Sequence, residues 1–318
     1  MLEIDRIYCG DSLDWIQRID DNSVDLVVTS PKYNVGLQYD QCQDMMPWPE
    51  YYNWCRKWMR EVYRVIKPDG RFCLNHYLSC GTSKHRSAPL MDLNAICEFE
   101  IGFNHHGFAV WTESTTCKRQ AWGSWCSASA PYVSSPLEGI DILYKDHWKR
   151  DTRGESTITK EEFMNWTLGI WKMQPQQSRG GCPAPFPLEL PRRCIDLLTY
   201  KGDLVLDLFN GSGTTCVAAK QGGRHYIGID ISPAYCEDAR EWLETGVRPR
   251  RPTLKKHDTG KKRTLDCTPT KYCKCGAIIL REETMCETCR WKGKLAKRGE
   301  KHREAEHLKR ATLSELLK

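Results

Sequence analysis

Two short stretches carry side chains that could do chemistry. Ser30-Pro31-Lys32-Tyr33 sets a hydroxyl and a backbone carbonyl beside a rigid proline, with an aromatic ring close behind. Two neighbouring acceptors and a stacking plate suit an exocyclic amine on a planar base. Accepting the amine hydrogens directs the nitrogen lone pair at an electrophile. A base in duplex DNA reaches such a loop only when flipped out of the stack. Spacing alone fits a plain proline turn after a strand equally well.

The second stretch is Asp203 to Thr215, DLVLDLFNGSGTT. An apolar run ends in Asp207, an Asn210-Gly211-Ser212-Gly213 turn follows, and Thr214 to Gln221 reads as a helix. Glycines let the backbone turn tightly and approach a ligand. The first free N–H groups of the helix then face that ligand. No Lys-Ser/Thr follows the glycines, which argues against a Walker phosphate loop. Asp11, Asp207 and Asp230 all stand at the ends of expected strands. An acidic residue at the end of the second strand of such a unit accepts hydrogen bonds from ribose hydroxyls, and Asp230 has that spacing. Each aspartate alone could equally be a turn or cap residue.

The elements that must position these groups follow from periodicity. Val24 to Thr29 is a near-continuous β-branched run, suited to a strand buried on both faces. Glu3 to Cys9, Arg71 to His76, His106 to Trp111, Gly139 to Tyr144 and His225 to Ile231 read as further strands. Trp48, Tyr52, Cys55, Met59, Val62 and Ile66 recur at helical spacing until Pro68-Asp69-Gly70. Ser12 is expected to cap a helix Leu13 to Ile19, and Ser232-Pro233 to start one at Ala234 to Leu243. Leu90 to Ile101, Glu161 to Leu168 and Leu190 to Leu198 read as helices, and Ile170 to Met173 as extended. Thr112 to Pro136 is long, polar and aromatic without a helical period, which marks a functional loop.

Composition sets the class. With 40% hydrophobic and 28% charged residues over 318 positions, the chain reads as soluble. No apolar run nears the roughly 20 residues of a membrane helix, and MLEIDRIYCGD is not expected to be a signal peptide. Seventeen cysteines, most within apolar runs, point to a reducing cytoplasm. From Gly246 onward there are 21 Lys and Arg against 9 Asp and Glu; before it there are 26 against 32. An acidic body with a strongly basic tail is the electrostatic pattern of a nucleic-acid binder, although a solubilising tail would look similar.

In that tail, Cys273-x-Cys275 and Cys286-x2-Cys289 are separated by ten residues. Two close thiolate pairs, with Gly276 in the first turn, suit a tetrahedral structural zinc. Metal would then fold a module too small to bury its own core. A DNA-contacting ribbon is the preferred role and a protein contact the second; four unliganded cysteines are the alternative.

Taken together, these segments resemble the β-class amino-methylating DNA methyltransferases. Val24 to Asn34 (VDLVVTSPKYN) resembles their catalytic Asp/Asn/Ser-Pro-Pro-Tyr/Phe motif. Asp207 to Thr215 (DLFNGSGTT) resembles their S-adenosylmethionine motif, and Cys182 to Leu190 (CPAPFPLEL) the His-Pro-Ala-Pro-Phe-Pro segment before it. Ile7 to Asp11 resembles the opening Gly-Asp segment, and Ala121 to Ala130 with Glu138 and Lys145 also fits. The catalytic motif precedes the cofactor motif, which is the β-class order. The resemblance spans roughly residues 1–245. Lys32 replaces the second catalytic proline, Leu208 a proline of the cofactor motif, and Cys182 a histidine.

The resemblance implies an α/β fold: a doubly wound, Rossmann-like methyltransferase sheet in circularly permuted motif order; the cysteine pairs add the expectation of a small zinc-ribbon-like C-terminal module. The resemblance implies a methyltransferase domain over 1–245 with target recognition within 112–180; composition gives a basic linker over 246–266, and the cysteine spacing a zinc-binding basic module with a C-terminal helix over 267–318. The resemblance gives Ser30 and the Pro31 carbonyl the target amine, and Tyr33 the flipped base. Asp207, Phe209, Gly211, Ser212, Gly213 and Thr214 would form the methionine side of the cofactor pocket. Asp230 would take the ribose, Asp11 would lie by the adenine, and Pro183 to Phe186 would close the pocket. The implied reaction is methyl transfer to an exocyclic amine of double-stranded DNA. Ser30 favours cytosine N4; adenine N6 is the alternative, as is a DNA-binding protein impaired by Lys32. A homodimer and a cognate restriction endonuclease are further partners the resemblance admits.

Overall fold

All six residues of the run Val24–Thr29 are buried, as a strand covered on both faces must be. The computed structural model describes residues 2–42, 44–81, 86–113, 124, 126–131, 133, 137–176 and 182–250. The chain divides into residues 1–255 and 256–318. The second unit, with Cys273, Cys275, Cys286 and Cys289, lies outside the described residues.

In chain order the strands are β1 (Arg6–Cys9), β2 (Val24–Thr29), β3 (Ile66–Tyr77), β4 (Cys80–Gly81), β5 (Arg86–Ser87), β6 (Asn104–Glu113), β7 (Glu138–Tyr144), β8 (Ile170–Met173), β9 (Leu204–Asp207) and β10 (His225–Asp230). The helices are α1 (Ser12–Ile16), α2 (Trp48–Val65), α3 (Pro89–Ile96, extended by a π turn Cys97–Ile101), α4 (Lys160–Trp166), α5 (Glu189–Leu198), α6 (Thr214–Gln221) and α7 (Pro233–Thr245).

Eight strands form one sheet in the order β1-β10-β9-β2-β3-β7-β6-β8. Strands β1, β10, β9, β2 and β3 run parallel. Strand β7 is antiparallel to both β3 and β6, and β8 pairs parallel with β6. The sheet is therefore mixed rather than uniformly parallel. Both faces are covered, because alternate residues of each strand point to opposite sides. Leu26, Val28 and Val205 join a core with residues of α5, α6 and α7. Val27, Leu206 and Ile227 join a second core with residues of α1, α2 and α3. Burying each such aliphatic side chain contributes about 1.5–3 kcal/mol.

Two expectations are corrected. The α1 cap is Asp11, whose Oδ1 accepts from the Leu13 N–H at 2.8 Å, while Ser12 is the first helical residue. Pro68-Asp69-Gly70 does not form a free turn after α2; it lies inside β3, which begins at Ile66. Pairing with β2 slips between Val24 and Leu26, and this irregularity accommodates the proline, which has no N–H to give a ladder. Among the described residues, no helix is long and apolar enough to cross a membrane.

Candidate active site

Strands β2 and β9 are neighbours, so the loops that follow them leave the same edge of the sheet side by side. Both loops line one cavity of about 250 Å³. Ser30, Pro31 and Tyr33 contribute one wall. Phe209, Gly211, Ser212 and Thr214 contribute another, with Asp230 from the end of β10, Asp11 from the end of β1, and Phe186. Pro183, Asp207 and Gly213, expected at the same site, stand outside the lining.

The first loop is held by a chain of hydrogen bonds. Ser30 Oγ donates to Tyr33 Oη at 3.1 Å, and Tyr33 Oη donates to Glu138 Oε2 at 2.8 Å. Asn75 Nδ2 donates to the same Glu138 oxygen at 2.7 Å and lies 3.2 Å from Tyr33 Oη. Burial first, and the Glu138 charge second, hold the Tyr33 phenol far above its ordinary range, so it stays protonated and donates. Tyr33 is only 3% exposed, and its ring packs 4.5 Å from that of Tyr77.

At Lys32 the backbone carbonyl accepts from Tyr51 Oη at 2.7 Å, and the ammonium lies 5.2 Å from the centre of the Trp54 ring. Tyr51 has a single proton, already given to that carbonyl. Its 3.0 Å contact with His76 Nε2 therefore requires the imidazole to donate. Burial pushes His76 down to about 3, so this is a neutral Nε2–H imidazole. Beyond Tyr33 the chain turns at Asn34 (φ 59°), and the N–H groups of Asn34, Val35 and Leu37 all donate to the buried Asp44 carboxylate, at 2.6, 3.1 and 2.9 Å. The stretch 38–47 reads in sequence as loop only, and nothing marks Asp44 as its anchor.

The second loop is organised by two carboxylates. Asp230 accepts from the Gly211 N–H at 2.8 Å and the Ser232 N–H at 2.9 Å; burial pushes its carboxyl up. Asp207 is buried and accepts from Thr29 Oγ1 at 2.7 Å and the Phe209 N–H at 3.1 Å; burial pushes it up to about 6. Gly211 (φ 51°) and Gly213 (φ 92°) are left-handed. A Cβ on Gly213 would meet Ala239 Cβ at 2.7 Å, so this glycine lets α7 approach rather than facing the cavity. A Cβ on Gly211 would stand 3.4 Å from Cys182 Sγ, narrowing the cavity wall. Burial pushes the Cys182 thiol up to about 12, leaving it neutral beside Asp230.

Sequence reasoning missed several groups here. Tyr39, Gln41, Cys42, Trp54 and Tyr235 line the cavity. Asn75 and Asp44 stand behind it, and Glu138 entered only as part of a matching segment. Among the described residues no group of His, Cys, Asp or Glu could hold a metal ion.

A glycine turn and a polar loop meeting at the carboxyl edge of a doubly covered sheet define an α/β protein with a nucleoside-type ligand cavity. The model of the DNA methylase family of N6/N4 type matches residues 24–241, and the chain belongs to that family. The type II methyltransferase M.MjaVI of Methanocaldococcus jannaschii is 44% identical over 47% of this chain and 76% of its own length. Type II methyltransferase M.BglI of Bacillus subtilis is 28% identical over 74% of this chain and 84% of its own. Among solved structures, TTHA0409 of Thermus thermophilus complexed with S-adenosyl-L-methionine is similar at TM-score 0.59 and 26% identity, covering 75% of this chain and 94% of that one. The cytosine-N4-specific PvuII DNA methyltransferase shares the fold at TM-score 0.58 and 23% identity, over 74% of this chain and 85% of its own.

Proposed function

We propose that this chain transfers a methyl group from S-adenosylmethionine to the exocyclic amine of a flipped base in double-stranded DNA, with cytosine N4 the favoured target. The observation that carries this reading is the shared cavity: the Ser30–Tyr33 loop and the Gly211–Thr214 turn line it together although far apart in sequence. The order of the two loops is that of the β class, a circularly permuted arrangement. The solved relative bound to S-adenosylmethionine supports the choice of cofactor.

The residues present fit that cofactor. Asp230 is the strand-end carboxylate suited to ribose hydroxyls, with Asp11 towards the adenine and Phe186 as an apolar wall. Gly211 lines the cavity with bare backbone, where a Cβ would stand 3.4 Å from Cys182 Sγ. When bound, the cofactor supplies an electrophilic methyl on a sulfonium. The chain's own work is to place the nucleophile. Ser30 Oγ donates its hydrogen bond to Tyr33 and accepts only a long 3.4 Å contact from Asn75 Nδ2, so a lone pair remains for the target amine. The Pro31 carbonyl is the second acceptor. Drawing on both amine hydrogens turns the nitrogen lone pair away from the ring, and positioning and fixed dipoles supply the rest. Tyr33 offers its ring to the extruded base.

Tritiated cofactor incubated with mixed-sequence DNA should label the DNA. Nucleoside digestion and mass spectrometry should return N4-methylcytosine. N6-methyladenine would transfer the reading to adenine, and cofactor binding without label would leave a DNA-binding protein disabled at Lys32. For the tail we propose a structural zinc on Cys273, Cys275, Cys286 and Cys289. Metal analysis of the purified chain should find about one zinc per molecule, and its absence ends that proposal.

A further inference from the structure

The helix α7 ends at Gly246, whose left-handed backbone (φ 73°) turns the chain out of the helix. Arg248 follows two residues later. Its guanidinium lies 5.2 Å from the centre of the Trp242 ring, and its Nη2 donates to Ser212 Oγ at 3.1 Å. Trp242 and Ser212 are both buried. The cation is thus held on one side by its own helix and on the other by the glycine turn. Its charge also reaches Cys182, whose thiol it pulls down against the stronger effect of burial. Ser212 and Cys182 both line the cavity.

The cavity is electrostatically lopsided. Its charged lining residues are Asp11 and Asp230 at the ends of β1 and β10, and Lys32 on the target loop beside Trp54. A ligand with a nucleoside at one end and an amino acid at the other brings a carboxylate towards the glycine turn. Asp230, bonded to the Gly211 N–H of that turn, disfavours the anion unless a cation stands close. Arg248, which is not itself among the lining residues, stands directly behind that turn through its bond to Ser212 Oγ. A guanidinium presents donors in a fixed fork that matches a carboxylate, and charge-assisted bonds of this kind are the strong ones. Ser212 Oγ accepts from Arg248, so its own hydroxyl proton is available to the same ligand oxygen.

We infer that Arg248, acting with the Ser212 hydroxyl, binds the α-carboxylate of the amino-acid end of the cofactor. This rests on the cofactor reading above. It makes the residue that follows α7 part of the binding site rather than the first charge of a basic tail.

The test compares two ligands that differ only at the amino-acid end. S-adenosylhomocysteine carries the carboxylate; 5′-methylthioadenosine keeps the nucleoside and sulfur without it. Calorimetry on the full chain should find the first bound more tightly. R248A should weaken S-adenosylhomocysteine about tenfold or more and leave methylthioadenosine within twofold. R248Q, which keeps the stem on Trp242 and a donor for Ser212, should show the same selective loss; R248K should lose less. S212A should weaken the first ligand alone, by a smaller factor. Equal weakening of both ligands would make Arg248 a structural residue and overturn the inference, as would no change in either. If the unaltered chain binds the two ligands equally, the carboxylate contact fails while the nucleoside site stands. If it binds neither, the cofactor reading fails first.

Discussion

The Thr29 hydroxyl donates to the Asp207 carboxylate at 2.7 Å, joining two buried residues 178 positions apart at the ends of β2 and β9. Neither side chain lines the cavity. Their bond fixes the register at which the target loop and the glycine turn leave the sheet. The strands pair only over Leu26–Val205 and Val27–Leu206, so this side-chain bond extends the pairing to the strand ends. Asp207 also accepts the Phe209 N–H and so starts the turn it precedes. A residue expected to touch the cofactor thus stands behind the residues that line the cavity.

Asp207 gives a pH dependence with a definite sign. Burial raises its carboxyl to about 6 in the folded chain, against about 3.9 when unfolded. The folded state therefore binds the proton more tightly, and this stabilisation is lost as pH rises from about 4 through 6. D207N keeps the acceptor for Thr29 and Phe209 but carries no charge to desolvate. Its Tm relative to the unaltered chain should rise between pH 4.5 and pH 8, by the equivalent of roughly 2 kcal/mol. A constant difference across that range would mean that Asp207 titrates normally.

Tyr33 and Glu138 should separate binding from turnover. E138Q keeps the side-chain shape but weakens the carboxylate that receives the Tyr33 and Asn75 hydrogen bonds. Ser30 then loses its fixed orientation. The expected result is a kcat fall of about ten- to a hundredfold, with S-adenosylhomocysteine affinity unchanged within twofold. Y33F should lose kcat similarly and cost about 1 kcal/mol of stability. Weakened cofactor binding in both variants would place the fault in the fold of the loop.

The two glycines of the turn make a contrast. Gly213 has a φ of 92° and no room for a Cβ beside Ala239, so G213A should lower stability by roughly 2–3 kcal/mol and shift Tm accordingly. Gly211 has a φ of 51°, a left-handed conformation that a side chain tolerates at about 1 kcal/mol, and its Cβ would meet only the edge of Cys182. G211A should therefore fold and show its effect as weaker S-adenosylhomocysteine binding. Thermal melts and calorimetry on the same preparations read both quantities; a reversed ranking would contradict the packing at Ala239.

How much of this was legible in the sequence varies with the physics of each element. The runs Val24–Thr29 and Leu204–Asp207 were readable because a strand covered on both faces must be apolar throughout. Ser232 was readable as a cap, and its hydroxyl does accept the Tyr235 N–H. Pro68 misled, because a proline-glycine pair signals a turn locally while the sheet imposes a strand through an irregular pairing. Asp11 and Ser12 are both good cap residues, and one backbone dihedral decides between them. Tyr33 read as a ring at a loop surface; its burial comes from β3 and β7, through Tyr77, Asn75 and Glu138. Those partners left no periodic signal, since single polar residues inside strands look like any outward-facing position. Asp44 was hidden for the same reason: three backbone donors converge on it only after the loop has closed.

Lys32 is where the chain departs from the family's catalytic motif, and we propose that it bears on DNA rather than on the cofactor. Its ammonium stands over Trp54 at the cavity wall on the target side. A cation there is suited to the phosphate beside an extruded nucleotide. K32A should weaken DNA binding and reduce the slope of log affinity against log salt by about one. Binding of S-adenosylhomocysteine should stay within twofold, because the loop that carries Lys32 is separate from the glycine turn and from Asp230. The base product should be the same nucleoside, since Ser30 and the Pro31 carbonyl are retained. A salt slope identical to that of the unaltered chain would mean that Lys32 touches no phosphate. Its role would then be confined to the Trp54 contact that holds the loop.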